Sequence, residues 1–147
     1  ANHFKSKGSR NAKGLDIDQK DGQASYNYKR TLQAKTLLDI IDSLYFDENI
    51  IVLGDFNAYS QEDPIQTLQS TNLHRLETVN YSYVYKGKNG SLDHVFVSDN
   101  FIDHIDQVQT WNINSIYPTW INYSHTLADS SYFRSSDHNP MVIGVNR

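Results

Sequence analysis

The feature that most constrains this chain is a short run, Asn49-Ile50-Ile51-Val52-Leu53-Gly54. It is continuous, rich in β-branched residues and bounded by turn residues. Such a run reads as a strand buried on both faces. Its neighbours set the architecture. Upstream, Leu32, Leu37, Leu38, Ile41, Leu44 and Tyr45 recur at three- and four-residue intervals, so 28–46 reads as an amphipathic helix capped by Asn27. Before it, Asn2 to Lys7 alternate like a strand, and Gly8 to Ala24 form a polar loop. Downstream, Pro64 suits the first turn of a short helix over 63–71. Tyr81 to Tyr85 alternate, Lys86 to Gly90 turn, and Ser91 to Ser98 form a return strand, so 80–98 reads as a hairpin. Ile105 to Ile113 reads as an edge strand, 114–133 as irregular and aromatic, and Met141 to Val145 as a last strand. Strand, helix, strand, helix and then a run of strands gives an α/β layered domain with a mixed sheet, one domain over 1–147.

Composition narrows the function. The 147 residues include ten Tyr, six Phe and two Trp, enough apolar surface for a core. No apolar stretch is long enough to span a bilayer. Zero Cys excludes disulfide scaffolds, thiolate metal sites and cysteine nucleophiles. Net charge is −4, but residues 1–30 carry seven basic against three acidic residues. A sequence-independent duplex binder working by charge alone would be more basic. Contact with phosphate is therefore expected to be local, with metal ions offsetting the carboxylates.

Four segments carry the chemistry: Asn2-His3-Phe4-Lys5-Ser6, Gly54-Asp55-Phe56-Asn57-Ala58, Ser91-Leu92-Asp93-His94 and Ser135-Ser136-Asp137-His138-Asn139-Pro140. Each lies at an end of an expected strand, where binding sites of layered α/β proteins gather. Together they offer carboxylates, imidazoles and amides, the donor set of a hard divalent cation. Any one of them alone reads as turn chemistry. Their joint occurrence in this order does not.

The set resembles the endonuclease/exonuclease/phosphatase superfamily, and most of all its bacterial extracellular nuclease branch. There Asn-His-Phe-Lys-Ser-Lys, Gly-Asp-Phe-Asn-Ala-Tyr with Glu-Asp-Pro, Tyr-Ser-Tyr-Val, Gly-Ser-Leu-Asp-His and Arg-Ser-Ser-Asp-His run collinearly, as they do here from Asn2 to His138. The resemblance implies half of a four-layered α/β-β/α sandwich, a mixed β-sheet flanked by helices, with this chain matching the C-terminal half. Either a leader before Ala1 has been removed or the chain is a fragment; the resemblance favours the fragment and a secreted parent.

Residue roles follow from the same resemblance. Asp137 matches a metal ligand. His138 matches the histidine facing the scissile phosphate, and Asp93 its carboxylate partner. Asp55 matches the residue that positions or deprotonates the attacking water and also faces the metal. Asn57 matches the amide that holds phosphate, and His3 a second phosphate-facing histidine. Asn2, Lys5, Asn27 and Arg30 are candidate substrate contacts. Mg²⁺ is the implied ion, with Ca²⁺ and Mn²⁺ as alternatives, and DNA the implied substrate. His94 should face away from Asp93 and be structural; His74, His104 and His125 read as surface or packing residues. The tyrosines of 81–85 could stack on bases, or pack on a core as a hairpin face. Two alternatives stand beside a nuclease: a phosphatase or sphingomyelinase of the same superfamily, or a non-catalytic module that dimerises through an uncovered sheet face.

Overall fold

The structure is a computed structural model and describes residues 1–45, 48–118 and 133–146. It divides into two compact units, one of Ala1–Leu76 with Leu92–Asp103, the other of Glu77–Ser91 with His104–Arg147.

In chain order the elements are β1 (Asn2–His3), α1 (Asn27–Leu44), β2 (Ile51–Asp55), α2 (Asp63–Gln69), β3 (Leu73–Arg75), β4 (Tyr83–Tyr85), β5 (Lys88–Gly90), β6 (Asp93–Ser98), β7 (Ile105–Thr110) and β8 (Met141–Val145). The first unit is a four-stranded mixed sheet in the order β1-β2-β6-β3. Strand β1 runs parallel to β2, while β6 runs antiparallel to both β2 and β3. The expected mixed sheet is thus present.

One face of the sheet carries Phe4, Val52, Phe56, Leu73 and Phe96. These close against Ala34 of α1 and Ile65 and Leu68 of α2. Fully burying each of the large apolar side chains contributes roughly 1.5–3 kcal/mol. Phe56 sits at the centre, edge-to-face with both Phe4 and Phe96.

Several sequence expectations are corrected here. The apolar run is not covered evenly on both faces: Val52 is buried, but Leu53 on the opposite face is 38% exposed. That second face is not bare either, since Val95 and Val97 on it are buried. In α1, Leu37, Leu38 and Ile41 pack on the core, whereas Leu32, Leu44 and Tyr45 stay exposed. Asn27 does not cap α1. It is the first helical residue, and Tyr26 precedes it in a left-handed conformation with φ 63°. The tyrosine is held there because its N–H donates to the Asp16 carbonyl and its hydroxyl to the Arg10 carbonyl.

The expected 80–98 hairpin is also divided. Its true return strand is β5, paired with β4 across a two-residue turn, and β6 crosses into the first unit's sheet. Alternation along 91–98 reported a strand correctly, but it carries no information about the partner. Strand β3 had no sequence signal, being only three residues long. In the second unit β7 pairs antiparallel with β8. Residues 119–132 and His125 lie outside the described residues.

Candidate active site

The site in the first unit is built by strand register. His3 of β1 pairs with Asp55 of β2, and Asp55 pairs with Asp93 of β6. Directly opposed residues point to the same face of a sheet. His3, Asp55 and Asp93 therefore form one row across three neighbouring strands, on the face away from the α1–α2 core. Carboxylate oxygens of Asp55 and Asp93 lie within 4.8 Å of one another. His3 Nε2 stands 3.5 Å from Asp55 Oδ2 and is largely exposed.

The loop after β2 fixes the Asp55 carboxylate. Asn57 takes a left-handed conformation with φ 48°, which asparagine tolerates. Its backbone N–H donates to Asp55 Oδ1 at 2.7 Å, and its amide donates to Asp55 Oδ2 at 3.0 Å and to the Phe4 carbonyl at 3.1 Å. The rotamer of Asp55 is thus set before any substrate arrives. Gly54 is required for the same arrangement. Its φ is 142°, and a Cβ there would fall onto the backbone of Asn2. Only glycine lets β1 approach closely enough to bring His3 beside Asp55.

The donor set suits a hard cation. Two carboxylates held within reach of one another repel, and an ion between them relieves that. Oxygen donors of this kind fit magnesium, calcium or manganese better than a soft metal.

The opposite face behaves as expected for His94. It is buried against Phe56 and Phe96, with a ring nitrogen 2.8 Å from the Ala58 carbonyl. Other expectations fail. Arg30 is not a substrate contact: it is fully buried, and its guanidinium donates to the carbonyls of Lys5, Gln23 and Ser25. Asn27 donates its amide to Asp63 Oδ2 at 2.7 Å, and its side-chain oxygen is buried. Asn2 reaches the Leu53 carbonyl and stands on the other face from His3. Lys5 lays its ammonium over the Tyr26 ring, 4.6 Å from the centroid.

An ionic cluster beside this site had no reading in the sequence. Lys7 donates to both carboxylate oxygens of Glu62 and to the Gln23 carbonyl, and sits over the Tyr59 ring. Burial pushes the Glu62 carboxyl above its ordinary value and the Lys7 ammonium below its own, the opposite charge only partly offsetting each. The cluster ties the segment after β1 to the segment after β2, so it links the strand ends that carry His3 and Asp55.

In the second unit, Asp137 and His138 are half-buried on the turn before β8. The His138 ring lies 4.7 Å from that of Tyr83, at 38°. Asn139 anchors the turn. Its N–H donates to the Ser82 carbonyl, its amide to Tyr81, Asn112 and Ser115, and its side-chain oxygen accepts from the N–H groups of Asn114 and Ser115. The Asn-Pro pair was the available signal, since a residue before proline is held extended and an asparagine there can still serve as a hub.

A sequence model of the Endonuclease/Exonuclease/phosphatase family matches residues 23–138. No curated protein matches. Solved structures share the fold, among them two from Bacteroides species. An endonuclease/exonuclease/phosphatase from Bacteroides vulgatus superposes with a TM-score of 0.57 at 14% identity, covering 84% of this chain and 46% of its own. An endonuclease/exonuclease/phosphatase family protein from Bacteroides thetaiotaomicron gives 0.56 at 17% identity, covering 80% and 45%. The chain thus spans less than half the length of either structure. With the motif residues aligned across β1, β2 and β6 and most of the sequence within the family match, the chain belongs to the endonuclease/exonuclease/phosphatase family.

Proposed function

We propose that this protein is a metal-dependent phosphodiesterase, a secreted-type nuclease that hydrolyses DNA by in-line attack of water. The observation that carries the reading is the row His3–Asp55–Asp93, with Asn57 locking the Asp55 carboxylate. Asp55 and Asp93 would hold the divalent ion, and Asp137 is a ligand by resemblance. When bound, such an ion supplies positive charge against the phosphoryl oxygens.

The chain's own residues supply the rest. Asp55, with its rotamer fixed, orients a water and accepts its proton as the water attacks phosphorus; the P–O ester bond opposite the water breaks, and the departing oxygen leaves as an alcohol after taking up a proton. His3, beside Asp55 and open to solvent, donates to a phosphoryl oxygen. His138, by resemblance, donates to the phosphate on which charge accumulates. No covalent nucleophile is needed, because water attacks directly.

The test is magnesium-dependent cleavage of plasmid DNA. Chelation with EDTA abolishes it, and Asp55→Asn or His138→Ala lowers the rate by ~10²–10³-fold. Cleavage at an unchanged rate in these variants would overturn the reading. A substrate panel containing sphingomyelin and inositol phosphates separates it from the sister activities of the family.

A further inference from the structure

We propose that the β4–β5 hairpin is a stacking platform for single-stranded nucleic acid, with Tyr85 receiving a base and Lys86 the adjoining phosphate. This rests on the nuclease reading above and names the part of the substrate that the hairpin would read.

The platform is a ladder of rings. Tyr83 and Tyr85 lie two residues apart on β4 and so share a face. Their rings are 6.5 Å apart and nearly parallel, at 14°. The His138 ring also lies against Tyr83, 4.7 Å away and tilted by 38°. Tyr83 thus touches both the histidine assigned to the phosphate and Tyr85, which is 54% exposed. A hairpin face packed on a core would have buried that last ring.

The tip of the hairpin adds charge. Lys86 and Gly87 both have positive φ, 49° and 76°, the signature of a two-residue type I′ turn. Asn, Asp or Gly normally fills the first of these positions, and a lysine there is strained. Lys86 places its ammonium 5.3 Å from the Tyr85 ring centroid, and Lys88 faces Tyr85 across the ladder. One cation therefore lies over an exposed aromatic ring, and a second lysine is its cross-strand neighbour, in a chain of net charge −4.

This chemistry selects a flat, anionic ligand. A base has a π-face to lay on Tyr85, and every nucleotide brings a phosphate within reach of a long lysine side chain. A choline would only exchange one cation over the ring for another, whereas a nucleotide gives the Lys86 ammonium a phosphate to move to as the base takes its place on Tyr85. Stacking is tolerant of base identity, so the platform confers preference for base-bearing strands and no sequence code.

The test uses the protein in EDTA, so that binding is read without cleavage. Two labelled 12-mers are compared by fluorescence anisotropy, oligothymidylate and a fully abasic strand. The expected result is about 10-fold tighter binding of the base-bearing strand, erased in Tyr85→Ala and retained in Tyr85→Phe. Lys86→Gly removes the strain, so its melting temperature holds or rises. It keeps the base preference and lowers the slope of log affinity against log salt by about 0.7. Equal binding of the two strands by the wild type, or a preference that survives Tyr85→Ala, overturns the platform. So does Tyr85-dependent binding of phosphocholine vesicles without a base preference. If magnesium-dependent cleavage fails while the base preference stands, the hydrolase reading falls and the platform does not. If cleavage stands without the preference, the platform alone falls.

Discussion

Each unit holds its functional turn with a buried polar network, and the two networks are made of different chemistry. In the first unit the tie is ionic: Lys7, Glu62 and Arg30 clamp the segments that carry His3 and Asp55. In the second unit the tie is neutral: Asn139 uses its amide and its backbone N–H to hold the turn that carries His138. A charged network gains strong hydrogen bonds but must first remove its charges from water. An amide network incurs less desolvation and is indifferent to pH. Similar positioning is thus reached in two ways, which differ in how they fail when one member is removed.

The largest expected effect comes from the ionic side. Lys7→Met leaves Glu62 buried without its cation, and breaking a buried pair in this way costs about 3–5 kcal/mol. The paired change Lys7→Met with Glu62→Leu removes both members of the pair and restores part of that loss; Arg30, buried nearby, then keeps its carbonyl partners but loses the Glu62 charge. Urea denaturation of the three proteins measures this. A double variant no more stable than Lys7→Met would mean that the hydrogen bonds of the clamp, and not its charge balance, hold the two segments together.

A smaller loss is expected on the neutral side. Asn139→Leu deprives the buried N–H groups of Asn114 and Ser115 of their shared acceptor. Unsatisfied buried donors cost roughly 1–3 kcal/mol each, and some are recovered by water at the turn, so a net loss of about 2–3 kcal/mol follows. Because the same turn carries His138, the proposed DNA cleavage should fall further than stability does. Thermal melts and cleavage rates on one preparation show whether the two losses separate.

These networks also mark where the sequence stops being readable. The row His3–Asp55–Asp93 was legible as three motifs at strand ends, because strand period and turn chemistry are local signals. That they form a single row depends on register, which is set by pairing between strands far apart in the chain. Arg30 shows the limit most clearly. A basic residue near phosphate-binding motifs reads as a ligand, yet it lies in the core with its guanidinium on three carbonyls. Nothing local distinguishes the two cases, because burial is a property of the folded chain. Lys7 and Glu62 were hidden for the same reason, being 55 residues apart. The hairpin misassignment has a related cause: period-two alternation identified β6 but was silent about β2 and β3 as its partners.

The pH dependence of stability gives the finest separation of the two networks. Burial raises the Glu62 carboxyl above 4.5, so between that value and its own the folded chain binds more protons than the unfolded one. Stability therefore falls as pH rises through that window. Burial lowers the Lys7 ammonium below 10.5, so at alkaline pH the folded chain binds fewer protons, and stability rises with pH there. The double variant Lys7→Met with Glu62→Leu lacks both groups, and its urea midpoint should vary less with pH at both ends. Asn139 carries no titrating group, so Asn139→Leu should lower the midpoint by a constant amount at every pH above the histidine range. An Asn139→Leu loss that itself changes slope between acid and alkaline pH would break the contrast, since it would show that the neutral network draws on charge.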